Sequence, residues 1–281
     1  MGAPIGVFDS GHGGLTVLRA LLRRLPEEHY LYLGDHAAAP YGERTPQEIY
    51  RRTQASVELL FALGCRLVVL ACNTAAAIAL RRLQQGWLAE TYPDKRVLGV
   101  LVPMVEALSG QPWSVEEPPP RPHPAGRTVA LFATPRTVES GAYPEEVGRR
   151  APWVRLEQQP CPALAGAIER DLPEPELRHL VRLPVATLLD RLGGRLPDAA
   201  VLGCTHYPLV EAEFRAALPG VRLLSQPALA AESLVAYLAR RPAFRAGPGE
   251  TRYLTTGDPA AVSPRAMRFL GFPAEFLAVP A

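Results

Sequence analysis

Leu67-Val68-Val69-Leu70-Ala71-Cys72-Asn73-Thr74 decides how this chain is read. Four consecutive apolar residues, then a polar turn, then a helix from Ala75, describe a strand buried on both faces, as in a parallel sheet covered by helices. The same pattern returns at Ala199-Ala200-Val201-Leu202-Gly203, which ends at Cys204-Thr205-His206. Leu70-Ala71-Cys72-Asn73-Thr74 is echoed by Leu202-Gly203-Cys204-Thr205-His206. Val7-Phe8-Asp9-Ser10 is echoed by Leu131-Phe132-Ala133-Thr134. Asp9 and Cys72 are 63 positions apart, and Thr134 and Cys204 are 70 apart. Those spacings agree within ordinary loop variation.

Working outward, the alternation holds along the chain. Ile5 to Phe8 reads as a strand ending in Asp9-Ser10-Gly11-His12-Gly13-Gly14, and a helix with Leu15, Leu18, Leu21, Leu22 and Leu25 on one face follows, stopped by Pro26. Tyr30 to Leu33 is the next strand. Thr45-Pro46-Gln47-Glu48 is a capping box with proline at the first helical position. Strands are expected at Val97–Leu101, Thr128–Ala133, Val221–Leu224 and Tyr253–Thr256. Helices are expected at Ala163–Arg170, at Leu177–Leu192 with a break or bend at Pro184, at Pro208–Leu218 and at Ala228–Arg241. The proline-rich stretch 111–127 reads as an exposed loop. The whole is an α/β protein of two similar parallel-sheet lobes, each presenting a polar turn and a cysteine at its strands' carboxyl ends, where such sheets bind ligands.

Composition narrows the function classes. The chain has 281 residues, a formal charge of +2 and no dense basic block, so nucleic acid is not an expected partner. No run of about 18 apolar residues exists to span a membrane. Met1-Gly2-Ala3-Pro4-Ile5 lacks the basic-then-apolar opening of a signal peptide, which points to the cytoplasm. Four cysteines in such a chain are not a disulfide framework, and with no CxxC pair a metal site is not expected. A free cysteine is ordinarily a small buried hydrophobe, and Cys65 and Cys161 read that way.

Cys72 and Cys204 have neighbours that argue for more. A thiol between a strand end and a helix start meets free amide groups that favour a thiolate. Thr74 is a candidate cap for that helix, and Thr205 and His206 are candidate donors near Cys204. One activated thiol points to a nucleophile. Two, one per lobe in one cleft, can take a proton from one face of a carbon and return one to the other. Ser10, Asn73, Thr74, Thr205 and the amides of the Gly11-Gly13-Gly14 and Tyr41-Gly42 turns suit carboxylates. Asp9 suits an ammonium group or a thiol partner. Asp9 also fits a helix cap, and His206 a core histidine. His12, His29, His123 and His179 read as surface or packing residues.

Gly6-Val7-Phe8-Asp9-Ser10-Gly11 with Gly13 to Leu18, Gly34-Asp35 with Pro40-Tyr41-Gly42, Ala71 to Ala75, and Leu202 to Leu209 resemble, in this order, the signature blocks of the glutamate racemases. Thr134-Pro135 with Thr137, and Cys161-Pro162 with Glu169, resemble weaker blocks. The resemblance implies cofactor-free interconversion of L- and D-glutamate for bacterial peptidoglycan. It implies Cys72 as base toward D-glutamate, Cys204 as base toward L-glutamate, and Asp9, Glu169 and His206 as assisting groups. Substrate contacts would be Asp9, Ser10, Tyr41, Gly42, Asn73, Thr74, Thr205 and His206. It implies two pseudo-symmetric α/β domains, 1–97 with 208–281 and 98–207, an active site in the cleft between them, and a homodimer. His12, His36-Ala37-Ala38-Ala39, Ala76 and Ser225-Gln226-Pro227 depart from the pattern. A racemase of aspartate, a thiol-nucleophile hydrolase or transferase, and a non-catalytic binder of an acidic ligand remain the alternatives.

Overall fold

The computed structural model describes residues 2–110 and 126–279. The expected loop at 111–127 lies almost wholly outside them. Among the described residues ten strands form two sheets: β1 Ile5–Asp9, β2 Tyr30–Gly34, β3 Leu67–Leu70, β4 Arg96–Gly99, β5 Arg127–Ala133, β6 Val154–Pro160, β7 Ala199–Gly203, β8 Arg222–Ser225, β9 Arg252–Thr255 and β10 Phe276–Ala278. One sheet runs β10-β9-β2-β1-β3-β4, the other β6-β5-β7-β8. Every pairing is parallel, as the uninterrupted apolar strands require. Residues of β1, β2, β3 and β7 are buried throughout.

The strand orders locate the site before any side chain is considered. From β1 the chain steps one way to β2 and later the other way to β3, so the order reverses beside β1. From β5 it steps one way to β6 and the other way to β7. Crevices open at the carboxyl ends of strands where the order reverses. Asp9 and Cys72 emerge from the first crevice, Thr134 and Cys204 from the second. The internal echo in the sequence is this repeated topology.

Several expectations shift. β8 pairs with β7, from Ala199–Arg222 to Leu202–Ser225, so the chain stays with the second sheet beyond the expected return at 208. It comes back with helix Gln226–Arg240, which packs along helix Leu15–Arg24. The first sheet likewise keeps the chain through Gly99 rather than 97, and Leu101 already starts a helix. Helix Glu174–Arg191 runs through Pro184 without a break. Helices Pro135–Glu139, Ala142–Arg150 and Pro259–Leu270 and the edge strands β6 and β10 were not anticipated. A continuous apolar core reaches from Val7 and Leu18 in the first lobe to Phe132 and Leu202 in the second, so the lobes are joined by buried surface as well as by chain.

Candidate active site

Cys72 follows β3 directly and is itself the cap of helix Asn73–Gln85, its sulfur accepting from the Ala75 amide at 3.5 Å. Ser10 Oγ lies 3.5 Å from the same sulfur. Both contacts favour a thiolate, but burial outweighs them, and with the nearby Asp9 charge it pushes the Cys72 thiol up to about 12. The helix-start amide expected to favour a thiolate is in place, but one amide and one hydroxyl do not replace the water lost. The capping role foreseen for Thr74 also passes to the cysteine. Thr74 Oγ1 instead reaches across the lobes to Thr134 Oγ1 at 3.0 Å and Thr137 Oγ1 at 3.2 Å.

Cys204 sits at the end of β7 in different company. Its sulfur lies 3.8 Å from His206 Nδ1. His206 Nε2 pairs with Glu169 Oε2, and Glu169 Oε1 pairs with His12 Nδ1. His12 Nε2 ends the chain on the Val262 carbonyl at 2.9 Å. Burial alone would depress the His206 pKa, yet the Glu169 carboxylate and Cys204 outweigh it and hold it well above the imidazole range. Burial would raise Glu169, but His206 and His12 hold it far below the carboxylate range. The resting pair is thus imidazolium and carboxylate, with positive charge placed against the Cys204 sulfur.

The loop after β1 knits the two corners together. Asp9 Oδ1 accepts from the Gly11 amide at 2.9 Å, and Thr205 Oγ1 donates to Asp9 Oδ2 at 3.3 Å. Thr16 Oγ1 donates to the Thr205 carbonyl at 3.0 Å. Gly13 has to be glycine here, because a Cβ would stand 2.3 Å from Thr205 Oγ1 and 2.5 Å from His206 Nδ1. Asp9 is fully enclosed, and burial raises its pKa to about 6 even though His206 pulls it down. Ser10, Asn73, Thr74, Thr205 and His206 are all buried around the junction of the lobes.

Asn73 and Tyr41 are placed with their polar groups turned to protein partners. Asn73 exchanges reciprocal amide bonds with Gln226 and accepts from Tyr143 at 2.8 Å. Tyr41 donates to Asp35 Oδ2 at 2.7 Å, and Gly42 rests against Thr134. His12, Tyr143 and Gln226 were missed by the sequence reading. Only the position of His12 inside the glycine loop, and of Gln226 at a strand end, could have flagged them. His29 bonds the Gly247 carbonyl, and His179 is exposed. His123 lies outside the described residues. Cys65 and Cys161 are buried in apolar clusters, with burial pushing both thiols up to about 12.

A cavity of about 440 Å³, lined by Ser10, His12, His36, Glu169 and His206, leads to this junction. Cys72 and Cys204 do not line it; they are buried, 5% and 6% exposed. A larger cavity of about 570 Å³ between Arg81, Glu106 and Tyr237 contains none of the expected site residues.

Comparison with known proteins places the chain among racemases. The family model described as Asp/Glu/hydantoin racemase matches residues 5–234. The glutamate racemase of Cereibacter sphaeroides is 52% identical over 267 residues, covering 95% of this chain and 96% of that protein. A glutamate racemase isoform from Bacillus anthracis superposes with a TM-score of 0.84 at 28% identity, covering 99% of this chain and 97% of that one. The glutamate racemase of Francisella tularensis, solved in complex with D-glutamate, gives 0.82 at 27% identity, with 100% and 98% covered.

Proposed function

The chain belongs to the Asp/Glu/hydantoin racemase family, and from that premise we propose that it is a glutamate racemase that moves the α-proton with two thiols. The observation that carries the reading is the pair of buried cysteines at equivalent strand ends of two lobes, one beside Asp9 and Ser10, the other beside an imidazolium. Cys204, as thiolate against His206, takes the α-proton from one face. The neutral Cys72 thiol delivers its proton to the other face, and the roles exchange in the reverse direction. Glu169 keeps His206 charged. In reverse Cys72 must ionise against its own burial, and a substrate ammonium held at Asp9 supplies the positive charge the free protein lacks there.

Ser10, Thr74 and Thr205, with the backbone at Tyr41-Gly42, form the substrate's carboxylate partners, while His206, its two ring nitrogens on Cys204 and Glu169, lends the site its positive charge. Asn73, tied to Gln226 and Tyr143, contributes its amide and holds the lobes in register. Both proton transfers are supplied by side chains already present, so neither pyridoxal phosphate nor a metal is required. The only lysine, Lys95, bonds the Phe61 carbonyl at 3.3 Å and lies over the Phe61 and Tyr92 rings, away from the site. We place the enzyme in the cytoplasm as a homodimer supplying D-glutamate to peptidoglycan. No described helix is long and apolar enough to cross a membrane.

Purified protein without added cofactor, given both enantiomers of glutamate, aspartate and neutral amino acids, tests this. Racemisation of glutamate with aspartate turned over far more slowly is expected. Preference for aspartate, or none for any amino acid, overturns it.

A further inference from the structure

The cavity beside the site gathers three metal-ligating groups that the racemisation chemistry does not need together. One ligand atom from each of His12, His36 and Glu169 lies within 4.8 Å of the others. His36 Nδ1 faces the Gly34 carbonyl at 3.1 Å and the Thr255 hydroxyl at 2.9 Å. A carbonyl only accepts, so the proton sits on Nδ1 and Nε2 carries a lone pair. That Nε2 is buried and makes no hydrogen bond among the described residues. The His36 ring stands edge-on to His12 with centroids 4.3 Å apart. His12 is held in the complementary way: its Nε2 is on the Val262 carbonyl at 2.9 Å, which leaves Nδ1 facing Glu169. Backbone carbonyls orienting the far nitrogen of each ring are what ligating histidines ordinarily have behind them.

We propose that His12 Nδ1, His36 Nε2 and Glu169 Oε1 form a binding site for a divalent transition-metal ion of the zinc, cobalt and nickel class. Two imidazoles and one carboxylate suit such ions, whereas magnesium and calcium prefer all-oxygen sets. Bonds of about 2.0 to 2.1 Å in tetrahedral geometry place ligand atoms roughly 3.4 Å apart, so the three side chains draw together on binding. The proton between His12 and Glu169 leaves to solvent as the ion takes its place. Water from the cavity completes the fourth position. The other oxygen of Glu169 holds His206, so the ion draws carboxylate charge away from that imidazolium. On the racemase reading, the ion is therefore an inhibitor; the binding itself does not depend on that reading.

The test is a titration of the whole chain with Co²⁺, followed in the visible spectrum. One ion per chain is expected, with d–d bands and no thiolate-to-cobalt charge transfer. His36→Asn keeps a donor for the Gly34 carbonyl and removes the ligand nitrogen. It should weaken binding at least about 10- to 100-fold and leave metal-free turnover unchanged. Zn²⁺ should inhibit the unmodified enzyme and lose potency on that variant in parallel. No binding, a thiolate charge-transfer band placing the ion on Cys72 or Cys204, or equal affinity in His36→Asn each overturns the site. The wild-type spectrum decides even if the variant does not fold. Co²⁺ bound as described to a protein that leaves glutamate untouched keeps the site and overturns the function instead.

Discussion

Cys72 and Cys204 leave equivalent strands of the two sheets, yet Cys72 caps a helix of 13 residues and Cys204 runs toward a short 3-10 turn at Tyr207–Val210. The corner with the helix holds its thiol neutral. The corner without one carries a charged imidazolium. A helix start offers a thiol one amide in the plane of its cap, and burial of the sulfur cancels that gain. The charge at the other corner comes from a row of side chains, His206, Glu169 and His12, contributed by three separate elements. The two corners thus differ in the charge of their surroundings, and that difference comes from Glu169 and His12, brought to His206 from distant parts of the chain.

Removing either thiol breaks the comparison outright. Cys72→Ser and Cys204→Ser should each cost about 10²- to 10⁴-fold in turnover with the fold retained by circular dichroism. Wild-type turnover in either variant excludes the two-thiol chemistry. Glu169→Gln attacks only the charged corner. It should slow turnover roughly 10- to 100-fold, below the full loss of an acid or base. With its main support gone, His206 gives up its proton at lower pH, so the alkaline limb of the rate profile should move down. An unshifted limb would show that Glu169 does not hold that charge.

Asp9 sharpens the comparison from the neutral corner. Its folded-state pKa is about 6 against an ordinary 3.8. The folded protein binds that proton more tightly than the unfolded chain. Its stabilising effect is therefore full below about pH 4 and is lost as pH rises through 6, a difference on the order of 3 kcal/mol or less. Asp9→Asn should be more stable than the parent in urea at pH 7, by roughly 1 to 3 kcal/mol, and the gain should vanish near pH 4. A gain independent of pH would mean that the buried charge is not its source. The smallest effects belong to Cys65→Ala and Cys161→Ala, which should leave turnover unchanged and lower stability by roughly 1 kcal/mol. A large rate loss in either would place a third thiol in the chemistry.

Eight of the ten described strands, all but β6 and β10, and both crevices were legible because their signals are local. Apolar runs such as Leu67–Leu70 declare buried strands, and the repeated cysteine turn declares the duplicated topology. Membership of β8 in the second sheet was not legible, since Arg222–Ser225 is half-exposed and its sequence says nothing about which edge it joins. The site divides along the same line. Cys72, Cys204, Asp9, Ser10 and Glu169 stand in recognisable turns, but what tunes them is long-range. Glu169 meets His12 across 157 positions, and Asn73 meets Gln226 across 153. A histidine in a glycine loop looks like packing until the fold brings a carboxylate to it.

The central claim, a proton removed on one face and another returned on the opposite face, is tested most directly by incubating L-glutamate with the enzyme in heavy water and following the α-proton and optical rotation together. The two-thiol account predicts that early D-glutamate carries deuterium at the α-carbon while the remaining L-glutamate keeps its protium, because the donating thiol has exchanged with solvent. D-glutamate that retains the original α-proton, or optical rotation that never changes, would contradict it.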